Sequence, residues 1–277
     1  RRKKITNNWE KTGRRPGGQP GHKGHCRKRQ EPTQPVMLLP PPEEVLEDCA
    51  FKKTARTIVK QMVSIHMVLN VTEYHADVYY NSHTGERAHA AFPDGVIDDV
   101  NYDGSIRAFL FLLNNDCCTS IDKSRVFLSD LTGGKLNISK GMISRLNREF
   151  ALKTEPERRS AYADMLLSPV MHTDCTNARE NGKSCQVYVC ATPDGKALYF
   201  ARENMHNHLL FLHDIWVPAT NNEAERLLRN YKRKQAQAVT FRSFESIDYL
   251  CQCMSMLVLM RLEDPANIYD RVSRIFG

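Results

Sequence analysis

The chain has 277 residues, of which 41% are hydrophobic and 26% charged, and its formal net charge is +7. This composition is that of a globular protein with one large or two ordinary domains, and it excludes a collagen-like, mucin-like or wholly disordered chain. The sequence contains no run of 18 apolar residues, so it predicts no membrane-spanning helix. Nine irregularly spaced cysteines favour a reducing, cytoplasmic compartment over a disulfide framework.

The positive charge lies in a basic arm, residues 1–31. Residues 1–30 contain eleven Lys and Arg and one acid, whereas the rest contains 28 basic and 31 acidic residues. Because residues 13–29 are rich in Gly and Pro, we expect the arm to be flexible and to bind a polyanion: DNA, RNA or an acidic membrane surface. A solvated tail is the alternative. The arm residues expected to contact DNA are Arg14, Arg15, Lys23, Arg27, Lys28 and Arg29.

The chain begins with Arg1 and continues with basic residues and no apolar run. We therefore expect no secretory signal here, and we expect the natural N-terminus to lie upstream.

Residues 32–100 are predicted to form a proline-rich spacer and a small region of strands. Strand-like stretches occupy residues 57–59, 63–65 and 68–71, and residues 83–86 (HTGE) are typical of a turn. The sequence has no CxxC pair, so we do not expect bound zinc.

Residues 101–160 are predicted to be helical. Asp103, Ser120 and Ser139 are candidate N-caps, and Gly133-Gly134 ends the second helix. Two helices, a glycine turn and a basic third helix are compatible with a helix-turn-helix that binds DNA through Lys140, Arg145 and Arg148. An ordinary helical bundle with a solvated basic face is the alternative.

Residues 165–245 predict three antiparallel strands followed by a helix. The first strand, residues 169–174, ends in Asp174, and Asn181-Gly182 predicts a tight hairpin. Residues 185–192 and 197–202 form the next two strands, and the turn at Asp194 is expected at the far end of the first strand from Asp174. Residues 246–277 are predicted to be C-terminal helices that pack on this core.

The helix begins at a capping box formed by Thr220 and Glu223. Its buried stripe is predicted to be Ala224, Leu227, Leu228 and Tyr231. Glu223 then has a structural role, whereas Glu225 could face the edge of the sheet. Further candidate DNA contacts on the same helix are Arg229, Lys232 and Arg233.

An acid on the first strand and an acid on a later packed helix are two parts of an RNase H-like site. Mg²⁺ prefers oxygen ligands, and two such ions could clamp the attacking and leaving oxygens of a phosphodiester. Two ions carry four positive charges and normally need three or more acids. A capping or solvated role for each acid is the alternative.

The chain resembles the insertion-sequence-66 family of bacterial DDE transposases. The similarity covers residues 13–25 (GRRPGGQPGHKGH), 172–201 (HTDCTNARENGKSCQVYVCATPDGKALYFA) and 211–243, which include VPATNNEAER and FRS. This resemblance implies an RNase H-like α+β or α/β core that cuts and rejoins transposon ends with Mg²⁺ or Mn²⁺. It also implies that Asp174 is the first catalytic Asp and Glu225 the catalytic Glu, and that the protein oligomerises on DNA. The resemblance further implies that the small region within residues 32–100 is a degenerate zinc finger.

The chain departs from the family at its second catalytic Asp. Only 51 positions separate Asp174 from Glu225, which indicates that a fourth strand and its Asp are deleted between residues 204 and 205. Asp214 matches a non-catalytic position, and Cys175 stands where the wider family commonly has Glu. We therefore expect little or no DNA cleavage.

Three interpretations remain open from the sequence. The chain is an active transposase with an unidentified third acid, a DNA-binding relative that does not cut, or a decayed remnant. We prefer the second interpretation, for a bacterial protein associated with the nucleoid.

Overall fold

The structure is a computed structural model that describes residues 21, 23, 26–202, 222–238 and 241–277. Its described elements form a mixed α and β protein with small antiparallel sheets. The chain divides into two compact units, residues 1–66 and 67–277, which are treated separately. In the described part of the chain, no helix combines the length and the apolar character needed to cross a membrane.

The described part of the first unit contains one short helix, α1 (Glu43–Glu47). Elsewhere in residues 26–66 the chain is irregular and mostly exposed. A few hydrogen bonds join its two halves: Arg29 donates to the carbonyl of Val59 at 3.0 Å, and Gln30 exchanges two hydrogen bonds with Gln61.

The strands predicted at residues 57–59, 63–65 and 68–71 are wrong. These stretches have no regular secondary structure, and Ile58, Ile65 and Val71 are largely exposed. A β-branched sequence favours a strand only where a neighbouring strand and a packed face support it. The predicted turn at residues 83–86 does connect a short hairpin, β1 (Tyr79–Tyr80) and β2 (Arg87–Ala88).

Three helices follow, and each begins at its predicted cap. They are α2 (Gly104–Asn115), α3 (Ile121–Leu131) and α4 (Lys140–Lys153). The side chains of Asp103, Ser120 and Ser139 each accept a hydrogen bond from a backbone N–H of the first turn, which satisfies donors that have no partner within the helix. The next helix is α5 (Glu155–Leu166), which extends six residues past the predicted helical region, residues 101–160.

The sheet consists of β3 (His172–Glu180), β4 (Lys183–Ala191) and β5 (Ala197–Arg202) in the order β3-β4-β5, all antiparallel. The predicted hairpin between β3 and β4 is confirmed. Asn181 and Gly182 both have positive φ, +44° and +85°, as the tight primed turn requires.

Two expectations about this sheet are wrong. The first strand runs from His172 to Glu180, so Asp174 is its third residue and not its last. Because Ala191 pairs with His172, the turn that contains Asp194 lies at the Asp174 end of β3 and not at the far end. Both errors arose from ending the first strand at Asp174, although the residues up to Glu180 also pair with β4.

Three helices complete the second unit: α6 (Asn222–Ala238), α7 (Phe244–Glu263) and α8 (Ile268–Phe276). The first core cluster joins α2–α5, α7 and α8, and in it the rings of Phe111 and Phe150 stack 4.3 Å apart between centroids. The second cluster packs one face of the sheet against α6 and α7, and it contains the predicted stripe Ala224, Leu227, Leu228 and Tyr231. The helix α7 belongs to both clusters, with Cys253 in the first and Cys251 in the second.

Candidate catalytic and DNA-binding residues

Asp174 is half-buried on β3, on the strand face that α6 and α7 cover. Its pairing partner Val189 is fully buried in the second core cluster, and side chains directly opposite each other lie on the same face of a sheet. The carboxylate accepts a hydrogen bond of 2.8 Å from the backbone N–H of Cys175. This hydrogen bond keeps the Asp174 carboxylate close to the backbone of β3.

The helix α6 lies along β3 and runs in the same direction. Near the end of the helix, Gln235 donates a hydrogen bond of 3.0 Å to the carbonyl of Asn177. Just after the helix, Phe241 bonds the backbone of Arg179 and Asn181 in a parallel bridge at the end of β3. At the other end, the charge of His172, the first residue of β3, acts on Glu223 in the first turn of the helix.

From the position of Lys232 on the same helix, we infer that Glu225 lies on the flank of α6 nearest β3. Lys232 lies seven residues, about two helical turns, after Glu225, so the two side chains point in nearly the same direction from the helix. Lys232 acts electrostatically on Cys175 of β3. The carboxylate of Glu225 is half-exposed and lies 3.7 Å from the guanidinium of Arg229. The structure thus brings Asp174 and Glu225 to the same end of the paired strand and helix, with no hydrogen bond between the two side chains among the described residues.

Glu223 is engaged in a different interaction. Its carboxylate accepts two hydrogen bonds from the guanidinium of Arg226, one of them at 3.0 Å. The hydrogen bonding from Arg226 holds the pKa of Glu223 below its usual range. Thr220, the predicted partner in the capping box, lies outside the described residues.

Asp174 and Glu225 offer hard oxygen ligands, but within the described ranges no three His, Cys, Asp or Glu side chains converge as a metal site.

Asp194 accepts a hydrogen bond from the Thr192 hydroxyl, which lowers the pKa of the Asp194 carboxyl, and the ammonium of Lys196 lies 3.7 Å from the same carboxylate. The predicted deletion point and Asp214 lie within residues 203–221, outside the described residues. Among the described residues, the carboxylates of the two predicted catalytic residues are thus not joined by a third ligand that could complete a metal site.

The surroundings of Cys175 favour its thiol form over the thiolate. Burial, together with the negative charge of Asp174, raises the pKa of the Cys175 thiol, and Lys232 opposes this shift only in part. Because the thiolate is the nucleophilic form, this environment disfavours Cys175 as a nucleophile.

The predicted helix-turn-helix residues are exposed on α4, whereas Ile143, Leu146 and Phe150 are buried. Lys140 lies 2.7 Å from the carboxylate of Asp122 on α3. Arg125 of α3 donates to the Ile138 carbonyl and the Asn137 side chain, which ties α3 to the connection that leads into α4. The predicted DNA contacts Lys140, Arg145 and Arg148 are exposed on α4, and Lys153 in its last turn is exposed as well and pairs with Glu149.

The other predicted DNA contacts divide between the arm and α6. Arg14 and Arg15 lie outside the described residues. The remaining candidates are all exposed, namely Lys23, Arg27, Lys28 and Arg29 in the arm and Arg229, Lys232 and Arg233 on α6.

Sequence reasoning missed Lys234, which is 6% exposed. Its ammonium donates to the backbone carbonyl of Asn114 and, at 2.6 Å, to the Asn114 side-chain oxygen. Burial lowers the pKa of Lys234 to about 8. The available signal was its position three residues after Tyr231, on the continuation of the buried stripe.

Comparisons of this chain with protein-family models, with curated proteins and with solved structures found no match.

Proposed function

We propose that this chain is a transposase-type protein, related to the insertion-sequence-66 family, that binds DNA and cuts it weakly or not at all. The observation that carries the proposal is the packing of α6 along β3 in the same direction, with Asp174 and Glu225 at the shared starting end. In an RNase H-like core, these two residues would be the first acid and the last acid of the catalytic set.

The chemistry of this pair fits Mg²⁺ or Mn²⁺, since both side chains supply carboxylate oxygens. Asp174 and Glu225 would hold the ion, and the ion would supply Lewis-acid stabilisation of charge on a phosphodiester. The guanidinium of Arg229, 3.7 Å from the Glu225 carboxylate, neutralises part of the negative charge. This competition weakens the attraction for the cation.

The proposed weakness in cleavage follows from charge. Two divalent ions carry four positive charges, whereas Asp174 and Glu225 supply two negative ones. Sequence reasoning gives no third acid, because the segment that would carry the second Asp is absent from the short connection between β5 and α6. A site of two acids should hold one ion, which can bind a phosphate but cannot clamp both reacting oxygens.

DNA binding is supported by three sets of basic residues. The arm carries the densest charge, with eleven Lys and Arg against one acid in residues 1–30, so it can neutralise several phosphates. The exposed cations of α4 and of α6 add two further sites, and those of α6 lie on the turns that follow Glu225. Phosphate contacts of this type bind DNA without reading its sequence.

The experiment compares the unaltered 277-residue chain with Asp174→Asn, Glu225→Gln and the control Asp164→Asn. Asp164 is a half-exposed acid on α5 whose nearest cation, Lys196, lies 3.8 Å away. Each protein is tested for binding to duplex DNA, for Mn²⁺ binding by electron paramagnetic resonance, and for strand cleavage with Mg²⁺ or Mn²⁺.

We expect all four proteins to bind DNA and none to release a cleavage product. We expect Asp174→Asn and Glu225→Gln, but not Asp164→Asn, to weaken Mn²⁺ binding by about tenfold or more. Cleavage that is lost in Asp174→Asn would show an active enzyme and overturn the proposed deficiency. Mn²⁺ binding that is unchanged in both site variants would disprove the acid pair, and failure of the unaltered chain to bind DNA would disprove the proposal as a whole.

A further inference from the structure

The helix α3 presents an apolar strip to solvent. Val126 and Phe127 are 59% and 47% exposed, whereas Ser124 and Leu128 on the opposite side of the helix are buried against the first core cluster. The ring of Phe127 stacks on that of Phe109 from α2, with 6.1 Å between centroids, so it is held in place at the surface. Two adjacent apolar side chains therefore lie outside the core on an otherwise capped and packed helix.

A cation and an anion flank this strip. Lys123 lies three residues before Val126, and Asp130 lies three residues after Phe127, so all four side chains share one side of the helix. Within the described part of the chain, neither Lys123 nor Asp130 forms a salt bridge. The neighbouring Asp122, by contrast, is already paired with Lys140 and Arg125.

The strip is self-complementary under a two-fold rotation. The midpoint between Lys123 and Asp130 falls between Val126 and Phe127. When two copies of α3 lie antiparallel, Lys123 of each copy faces Asp130 of the other, and the apolar side chains meet at the axis. The two charge pairs are then about 10 Å apart along the helix, at a rise of about 1.5 Å per residue. A closed two-fold interface requires this kind of reciprocal pairing.

We propose that a second copy of this chain packs on this strip, antiparallel, about a two-fold axis between Val126 and Phe127. DNA fits the same strip poorly, since Val126 and Phe127 offer no hydrogen bond to a phosphate and Asp130 repels one. The proposal concerns α3 alone and is independent of the acid pair on β3 and α6.

The test measures self-association of the 277-residue chain by sedimentation equilibrium at protein concentrations up to about 0.5 mM. At that concentration, even a millimolar dissociation constant gives a measurable fraction of dimer. The variants are Lys123→Asp, Asp130→Lys and the double variant with both changes. Each single change places like charges opposite each other at two symmetric positions, so we expect the dimer to weaken by about tenfold or more. The double variant restores opposite charges and should dimerise as the unaltered chain does.

Mixing provides the control for misfolding. The Lys123→Asp chain carries two acids on the strip, and the Asp130→Lys chain carries two lysines. Each should be monomeric alone, and an equimolar mixture should form a heterodimer. Val126→Ser should weaken the dimer in every background while leaving the melting temperature nearly unchanged, because the side chain is exposed. A chain that stays monomeric throughout, single variants that dimerise normally, or a mixture that does not associate would each overturn the proposal.

Discussion

At the scale of single residues, Lys234 is the least ordinary side chain in the second unit. It is buried, no carboxylate in the described part of the chain pairs with it, and its ammonium donates to the carbonyl and side-chain oxygens of Asn114 at the end of α2. The last carbonyls of a helix have no partner within it and carry the negative end of its dipole. Lys234 therefore caps α2 from α6, the helix that carries Glu225.

The lowered pKa of Lys234 predicts a pH dependence of stability. Burial lowers the pKa of Lys234 from its ordinary value of 10.5 to about 8 in the folded chain. The unfolded chain binds the proton of this ammonium more tightly than the folded chain does. The contribution of Lys234 to the free energy of unfolding therefore rises as the pH increases from about 8 to 10.5. Relative to Lys234→Met, the unaltered chain should gain about 1 kcal/mol between pH 7 and pH 9.

Urea unfolding of both proteins at the two pH values measures this gain, and the subtraction removes the titration of the tyrosines and cysteines that the two chains share. Lys232→Met, which changes an exposed lysine on the same helix, should show no such pH-dependent difference from the unaltered chain. Parallel pH profiles for the unaltered chain and Lys234→Met would contradict the assigned burial of the ammonium.

At the scale of elements, the helix caps and the tight hairpin were predicted correctly, because each depends on a few residues that are close in sequence. The caps Asp103, Ser120 and Ser139 depend on side chains that bond the backbone two or three residues away, and the hairpin at Asn181-Gly182 depends on two adjacent residues. The residues that form the stripe of α6 were predictable for the same reason.

The errors concern features that depend on distant partners. The start and end of β3 are set by its register with β4, which no local pattern contains. The apolar stretches at residues 57–71 have the composition of strands but lack a described neighbouring strand. For the candidate site, the capping signal separated Glu223 from Glu225, but it gave no indication of Arg229 beside Glu225 or of the burial of Lys234.

The contact between α2 and α8 predicts opposite effects for two glycine substitutions. A Cβ at Gly104 would lie 2.0 Å from the carbonyl oxygen of Ser273 in α8, whereas a Cβ at Gly141 in α4 would meet no atom within 4 Å. We expect Gly104→Ala to lower the free energy of unfolding by about 2 kcal/mol or more, because the helices must separate. Gly141→Ala, the matched control, should raise it by about 0.5–1 kcal/mol through helix propensity. Denaturant unfolding distinguishes the two, and equal effects of the same sign would contradict the described packing.

At the scale of the whole molecule, the separation of charge is the dominant feature. Residues 1–30 of the basic arm carry a net charge of +10, which exceeds the +7 of the whole chain, and the remainder of the chain carries −3. A chain segment of this charge would gain little from general attraction to DNA, so in the proposed complex the cations of α4 and α6 would act only where they meet individual phosphates. We therefore expect the arm to supply most of the affinity and the folded unit to set the orientation of the bound DNA.

We expect this protein to bind DNA through its arm, and the most direct test is the salt dependence of the affinity of the 277-residue chain for duplex DNA. If the arm neutralises about six phosphates, a plot of log K against log salt concentration should have a slope near −5 or steeper. Replacing Arg14, Arg15, Lys23, Arg27, Lys28 and Arg29 with glutamine should remove most of that slope. An affinity that does not change with salt, or a slope that the six substitutions leave intact, would contradict the account.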